Sequence, residues 1–321
     1  MSMAVSELRL GPMPGRQQGQ GAPVLLVHGA LADARMWSAH QSHLAARWNT
    51  LAVTLRYFGT QAWPDDGPPF GLAAHLDDLV RAIDAWGQGP VHLVAWSYSA
   101  HAALYMARHH ATRLRSVFVY EPGFPTYLQE PEALARFQAD AQLMYGPLAE
   151  AVLRGDLAAA TRILMDASGQ SPGYFDRQPA ERRAVQLDNA HTLPRIMSQT
   201  PPLPLSATDL AAITLPVCIA QGGDTRPVFG EVASAAARAW SVAFCTDSSR
   251  SMPPPGAHWA DTGKRATSPM ARMAGESVRR WETRTSATLS PSAAFRRSTR
   301  PSFSLATSSW AFLSSSESSL P

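Results

Sequence analysis

Apolar positions in this chain fall into short dense runs, separated by longer stretches that carry a helical period. Ala22-Pro-Val-Leu-Leu-Val-His-Gly29, Leu51-Ala-Val-Thr-Leu-Arg-Tyr-Phe-Gly59, Val91-His-Leu-Val-Ala-Trp96, Ser116-Val-Phe-Val-Tyr120 and Leu215-Pro-Val-Cys-Ile-Ala-Gln221 each read as a strand ending in a turn or loop. Strands alternating with amphipathic helices predict an α/β fold with a mostly parallel, doubly wound sheet. The segment from Pro122 to about Pro216 interrupts this rhythm. Helical patterns recur there at Pro131–Tyr145, Leu148–Arg154, Leu157–Ala167 and Ala180–Ala190, before the punctuation Thr200-Pro-Pro-Leu-Pro204. This predicts a helical cap inserted after the sixth strand. The division that follows is a core of 1–121 and 215–262, a cap of 122–214, and a low-complexity, disordered tail of 263–321.

Charge changes the picture only at the end of the chain. Residues 1–239 carry 18 Arg against 20 Asp and Glu, whereas residues 240–321 carry 10 Lys and Arg against 5 acids. The basic tail has neither aromatic interleaving nor an amphipathic period, so neither a nucleic-acid nor a membrane partner is expected. Two cysteines, Cys218 and Cys245, and the lack of a secretory leader lead to an expectation of a cytoplasmic protein without disulfides. No G-x-G-x-x-G opens a helix after a strand, which speaks against a dehydrogenase.

The chemistry concentrates where an apolar run breaks at Ser97 and resumes as a helix in Ser97-Tyr-Ser-Ala-His-Ala-Ala-Leu104. A serine at the tip of a tight strand-to-helix turn needs small residues two before and two after, and Ala95 and Ser99 stand there. Centring the turn on Ser99 would put His101 where there is no room. The competing reading of Ser97 is a helix cap. Three segments in order, LLVHGAL, HLVAWSYSAHAAL and PVCIAQGGDTRP, resemble the α/β-hydrolase superfamily over roughly Pro14 to Trp240, in its cofactor-free esterase, enol-lactonase and haloperoxidase-like branch. A serine at the elbow sets the chain apart from the haloalkane dehalogenase and epoxide hydrolase branches, which use aspartate.

The resemblance implies the fold and a set of roles. Ser97 is the nucleophile of a Ser-His-acid triad, and the backbone N–H groups of Ala30 and Tyr98 form the oxyanion hole. His28 is structural, because triad order runs serine, acid, histidine. Asp224, after the seventh strand, is the first contender for the acid, although the commoner spacing falls on Thr225; its other reading is the N-cap of a helix starting near Pro227. Glu121, after the sixth strand, is the second contender. His258 is the remaining histidine after Trp240 and the candidate base. Its surroundings depart from the family pattern, for Trp240-Ser-Val-Ala-Phe-Cys-Thr-Asp247 is a marginal strand and no amphipathic helix closes the chain. Read one base later, codons for Gly256-Ala-His-Trp-Ala-Asp261 are compatible with Gly-His-Thr-Gly-Pro-Thr, a setting that resembles the family's histidine loop; a shifted reading frame from near Trp240 therefore stands beside an in-frame tail.

The function implied is hydrolysis of a small ester, lactone or thioester, with no cofactor or metal and with a homodimer compatible with the chain. A pseudoenzyme or binding module that keeps the pocket without the chemistry is the alternative, and a carbon–carbon bond hydrolase is another within the fold. Met144, Tyr145, Met165, Tyr174, Phe175 and Met197 either line an acyl pocket or pack the cap, and Arg195 and Arg226 either clamp a carboxylate or are ordinary surface arginines.

Overall fold

The computed structural model describes residues 4–63 and 66–239, together with the strand backbone of Phe244–Asp247. His258 and the tail from 263 lie outside the described residues. Among the described residues, eight strands form one sheet: β1 (Ser6–Leu10), β2 (Met13–Gln18), β3 (Ala22–Val27), β4 (Trp48–Val53), β5 (Val91–Trp96), β6 (Leu114–Tyr120), β7 (Val217–Gly222) and β8 (Phe244–Asp247). Their spatial order is β1-β2-β4-β3-β5-β6-β7-β8. From β4 to β8 every neighbouring pair is parallel, while the β1–β2 hairpin joins β4 antiparallel.

The period of two along a strand splits the apolar residues between the two faces. Leu25, Val27, Leu51, Val53, Leu93, Ala95, Val117, Val119, Val217 and Ile219 point into the main core. There they meet α2 (Leu72–Trp86), α3 (Ala100–His109) and α10 (Pro227–Ala239). Val24, Leu26, Ala52, Val94, Phe118, Cys218 and Ala220 face the other way, against Ala34 and Trp37 of the 3-10 turn that leads into α1 (Ser38–Leu44). Burial on both faces explains why the parallel strands are apolar throughout.

Between β6 and β7 the chain builds α4 (Pro131–Leu153), α5 (Leu157–Ser168), α6 (Tyr174–Arg177), α7 (Ala180–Asp188), α8 (Leu193–Met197) and α9 (Ala207–Ala211). The expected break between Tyr145 and Leu148 is absent, and α4 runs unbroken through Pro147. Pro147 cannot donate to the carbonyl of Leu143, but Leu143 is 72% exposed, so water can serve that carbonyl. Meanwhile Ala133, Phe137, Met144, Leu148 and Ala151 form one buried stripe at helical spacing that carries the helix past the proline. The stripe joins the main core, so the inserted helices share it with the sheet. Among the described residues, no helix is long and apolar enough to cross a membrane.

Candidate active site

Ser97 follows β5 directly and has φ 54°, a left-handed backbone conformation that a non-glycine residue adopts only under constraint. Ser99 is right-handed at φ −78°, so the turn is centred on Ser97. The constraint comes from packing. Ala95 is fully buried, and Ser99 Oγ lies 3.2 Å from the carbonyls of Val27 and Trp96, spending its polarity within the turn. A side chain at Gly29 would meet Trp96 O at 3.1 Å and Ser97 Cβ at 3.2 Å, so the loop after β3 sits hard against the elbow. Among the described residues Ser97 Oγ has no hydrogen-bond partner, so it does not cap the helix.

His28 holds that loop in place. Its Nδ1–H donates to Gly29 O at 2.7 Å, and its Nε2 accepts from Leu55 N–H at 3.0 Å. Burial lowers its pKa to about 4, which keeps the ring neutral in this structural role. Ala30 and Leu31 follow, with Leu31 at φ 52°. Tyr98 lies in the first turn of the helix, where backbone N–H groups have no intrahelical partner.

The sheet register brings the acid candidates into comparison. Trp96 pairs with Tyr120 and Tyr120 with Ala220, so Ser97 and Glu121 leave neighbouring strands at the same level, about one strand spacing of 4.8 Å apart in the sheet direction. Glu121 has φ 50° and its N–H donates to Ala220 O at 2.9 Å. Its Oε1 accepts from Gly222 N at 3.1 Å and from Thr225 Oγ1 at 2.8 Å, while Oε2 has no partner among the described residues. Burial pushes the carboxyl pKa up, and the two donors oppose that shift. Thr225, at the place where the commoner motif puts its acid, thus serves the carboxylate of Glu121. Asp224 is exposed and takes part through its backbone, its carbonyl accepting from the side chain of Gln170. Nor does Asp224 cap α10: the amide of Val228 donates to Asp140 Oδ2 at 3.0 Å. Asp140 also takes both ends of Arg226, at 2.6 and 3.1 Å, and Arg226 reaches Ala167 O at 2.9 Å. Arg226 is therefore a tie between the loop after β7 and the inserted helices, not a clamp open to a ligand.

Two further networks lie beside the elbow, and neither leaves a local mark in the sequence. Tyr98 OH stands 3.1 Å from both His75 Nδ1 and Gln199 Oε1. His75, lowered to about 4 by burial, is neutral and donates Nε2–H to Arg56 O at 3.0 Å, so its Nδ1 is an acceptor. One hydroxyl proton thus faces two acceptors, linking the elbow to the inserted segment. On the other side Asn189, fully buried, donates to Asp33 Oδ2 at 2.8 Å and accepts from Gly59 N at 2.7 Å. Of the apolar candidates, Met144 and Phe175 are only 1% exposed and pack inside the helical layer. Tyr145, Met165 and Met197 are partly buried against the main core.

A parallel sheet with a strained serine at the end of its central strand, backed by a close glycine loop, defines an α/β-hydrolase. The family model described as Alpha/beta hydrolase family matches residues 24–260, and the chain belongs to that family. It is 32% identical over 114 residues to a Caulobacter vibrioides relative provisionally named carbamate hydrolase RutD, covering 35% of this chain and 40% of the relative. It is 34% identical over 97 residues to a pimeloyl-(acyl-carrier protein) methyl ester esterase of Neisseria meningitidis serogroup B, covering 29% and 34%. The chain thus spans two fifths or less of the length of these curated relatives. Among solved structures, the esterase RhEst1 from Rhodococcus sp. ECU1013 superposes with TM-score 0.57 at 19% identity, covering 88% of this chain and 99% of that one. An α/β hydrolase from Sphaerobacter thermophilus DSM 20745 gives 0.56 at 20% identity, covering 78% and 95%. At such identities these two likenesses speak for the fold alone.

Proposed function

We propose that this α/β-hydrolase is a serine hydrolase that cleaves a small ester, lactone or thioester through an acyl-enzyme. The observation that carries the reading is Ser97 at φ 54°, its hydroxyl uncommitted among the described residues and its backbone wedged against Gly29. Ser97 Oγ attacks the substrate carbonyl and gives its proton to a histidine; the N–H groups of Ala30 and Tyr98 hold the resulting oxyanion. Collapse expels the leaving alkoxide or thiolate, which takes the proton from the histidine. Water then repeats the sequence on the acyl-enzyme and releases the acid. Glu121 orients and stabilises the imidazole: Oε1 is anchored by Gly222 and Thr225, which leaves Oε2 for the histidine. The base falls to His258, outside the described residues, or to the histidine of the shifted frame. The methyl ester esterase name of one curated relative supports the substrate class.

Fluorophosphonate labelling of the purified chain, with Ser97→Ala as control, tests this reading without a known substrate. Rapid labelling that disappears in Ser97→Ala is expected. A folded protein that does not label, or labels equally in both forms, overturns the nucleophile assignment.

A further inference from the structure

Arg195, the other arginine singled out from the sequence, has no role in the chemistry above. It lines a cleft of about 290 Å³ together with Pro69, Phe70, Ser198, Gln199 and Thr200. Two of these residues touch the elbow: Gln199 Oε1 accepts from Tyr98 OH at 3.1 Å, and the Phe70 ring lies 6.2 Å from that of Tyr98. None of the six lining residues is acidic. Arg195 is exposed and forms no ion pair or hydrogen bond among the described residues, in contrast to Arg226, which is saturated by Asp140 and Ala167. Its guanidinium rests 4.8 Å over the ring of Tyr57. That platform is itself fixed: Tyr57 has φ 71°, its hydroxyl donates to Pro68 O, and its carbonyl accepts from His191 Nε2 at 3.0 Å. A guanidinium held by its face over an aromatic ring keeps its edge N–H groups for a planar anion. Thr200 adds a hydroxyl with no hydrogen-bond partner among the described residues.

We propose that this cleft is an anion subsite that receives a carboxylate of the substrate, so that the hydrolase selects esters carrying a carboxylate a few bonds from the scissile carbonyl. The inference rests on the reading of Ser97 as nucleophile. A single arginine with Phe70 and Pro69 beside it suits one negative charge on a short aliphatic chain, and a cleft near the lower end of the usual pocket range (about 300 Å³) suits a small group.

The test compares kcat/KM for mono-p-nitrophenyl glutarate and p-nitrophenyl butyrate, which differ mainly in the terminal carboxylate. The wild type is expected to prefer the glutarate ester. In Arg195→Met the ratio of the two values should fall about tenfold or more, with Arg195→Lys in between. Arg113→Met, which removes a surface pair with Asp84, should leave the ratio as in the wild type. A ratio unchanged by Arg195→Met, or a wild type that prefers the butyrate, overturns the subsite. If the wild type hydrolyses neither ester, fluorophosphonate labelling decides the nucleophile reading separately, and calorimetric binding of glutarate decides the subsite. Binding weakened about tenfold by Arg195→Met upholds it, and absent or unaltered binding overturns it.

Discussion

Replacing Glu121 by glutamine separates the two acid contenders and can be worked through atom by atom. Glu121 Oε1 receives two donors, Gly222 N–H at 3.1 Å and Thr225 Oγ1–H at 2.8 Å. In Glu121→Gln the amide oxygen must take that place, because an NH2 there would face two donors. The NH2 group is then turned to where Oε2 stood, toward the imidazole. It can only donate, so the ring nitrogen facing it must accept, which selects the wrong tautomer for proton transfer from Ser97. Loss of the acid's charge and tautomer control lowers kcat by about a thousand- to ten-thousandfold in triads of this kind. Thermal stability should change little, since the anchored oxygen is retained and the group no longer has to ionise while buried. Asp224→Asn, at an exposed carboxylate, should leave kcat within about twofold. The assay is p-nitrophenyl butyrate turnover together with the fluorophosphonate labelling rate, with circular dichroism melts as the folding control. A mild Glu121→Gln and a crippled Asp224→Asn, both folded, would refute the assignment.

Other predictions concern packing and protons. Gly29→Ala would push a methyl to 3.1 Å from Trp96 O and 3.2 Å from Ser97 Cβ. It should destabilise by about 1–3 kcal/mol and slow labelling of Ser97, and a variant with wild-type melting and labelling would show that the loop does not brace the elbow. Asn189→Ala strands the amide N–H of Gly59 and leaves the acceptor Asp33 Oδ2 without the donor it had, whereas Asn189→Asp sets a second carboxylate against buried Asp33. Urea unfolding should show both weakened and the aspartate variant weaker; the reverse order would contradict the hydrogen-bond assignment. His28, His75 and His101 are each lowered by burial from 6.5 to about 4. Between those values the unfolded chain binds more protons than the folded one, so their contribution is complete above pH 6.5 and is lost as pH falls toward 4. Each of these sites should lower stability by about 2 kcal/mol by pH 5, read as a falling urea midpoint; a midpoint independent of pH from 7.5 to about 5 would show the rings are not held neutral.

The elements legible in the sequence are those whose signal is local. Strands β3 to β7 could be read because both faces are buried, which makes them apolar throughout, and the elbow because its steric demand for small residues falls at Ala95 and Ser99. The β1–β2 hairpin left no such mark: Met13-Pro-Gly-Arg-Gln-Gln18 is held by backbone pairing to β1 and β4 and by Gly15, where a Cβ would sit 2.8 Å from Leu51 Cδ1. Pro147 misled in the other direction, because a buried stripe outweighed the loss of one helical hydrogen bond. For the acid, position after the seventh strand ranked Asp224 first although the commoner spacing falls on Thr225, whereas the proximity of Glu121 to Ser97 arises from the pairing of β6 with β5 and β7. Asn189 and Gln199 could not be found at all, since each is a lone polar residue whose partner, Asp33 or Tyr98, lies more than a hundred positions away.

Backbone strain marks the same edge of the sheet. Of the five non-glycine residues with left-handed φ among those described, Leu31, Tyr57, Ser97 and Glu121 lie just past the C-terminal ends of β3, β4, β5 and β6, and the fifth, Gln170, follows α5. Glycine would adopt these angles freely, so a side chain is retained there for what it presents, at about 1–3 kcal/mol per residue. At Ser97 the two contributions can be separated, because its hydroxyl has no partner among the described residues and its Cβ is tight against Gly29. Ser97→Ala keeps the Cβ and the strain, whereas Ser97→Gly removes both. Each should abolish labelling, but the glycine variant should be the more stable by about 1 kcal/mol despite the greater entropy of its unfolded chain. An alanine variant as stable as the glycine one, or more so, would mean that the elbow stores no strain and that its geometry is held for the helix rather than for the nucleophile.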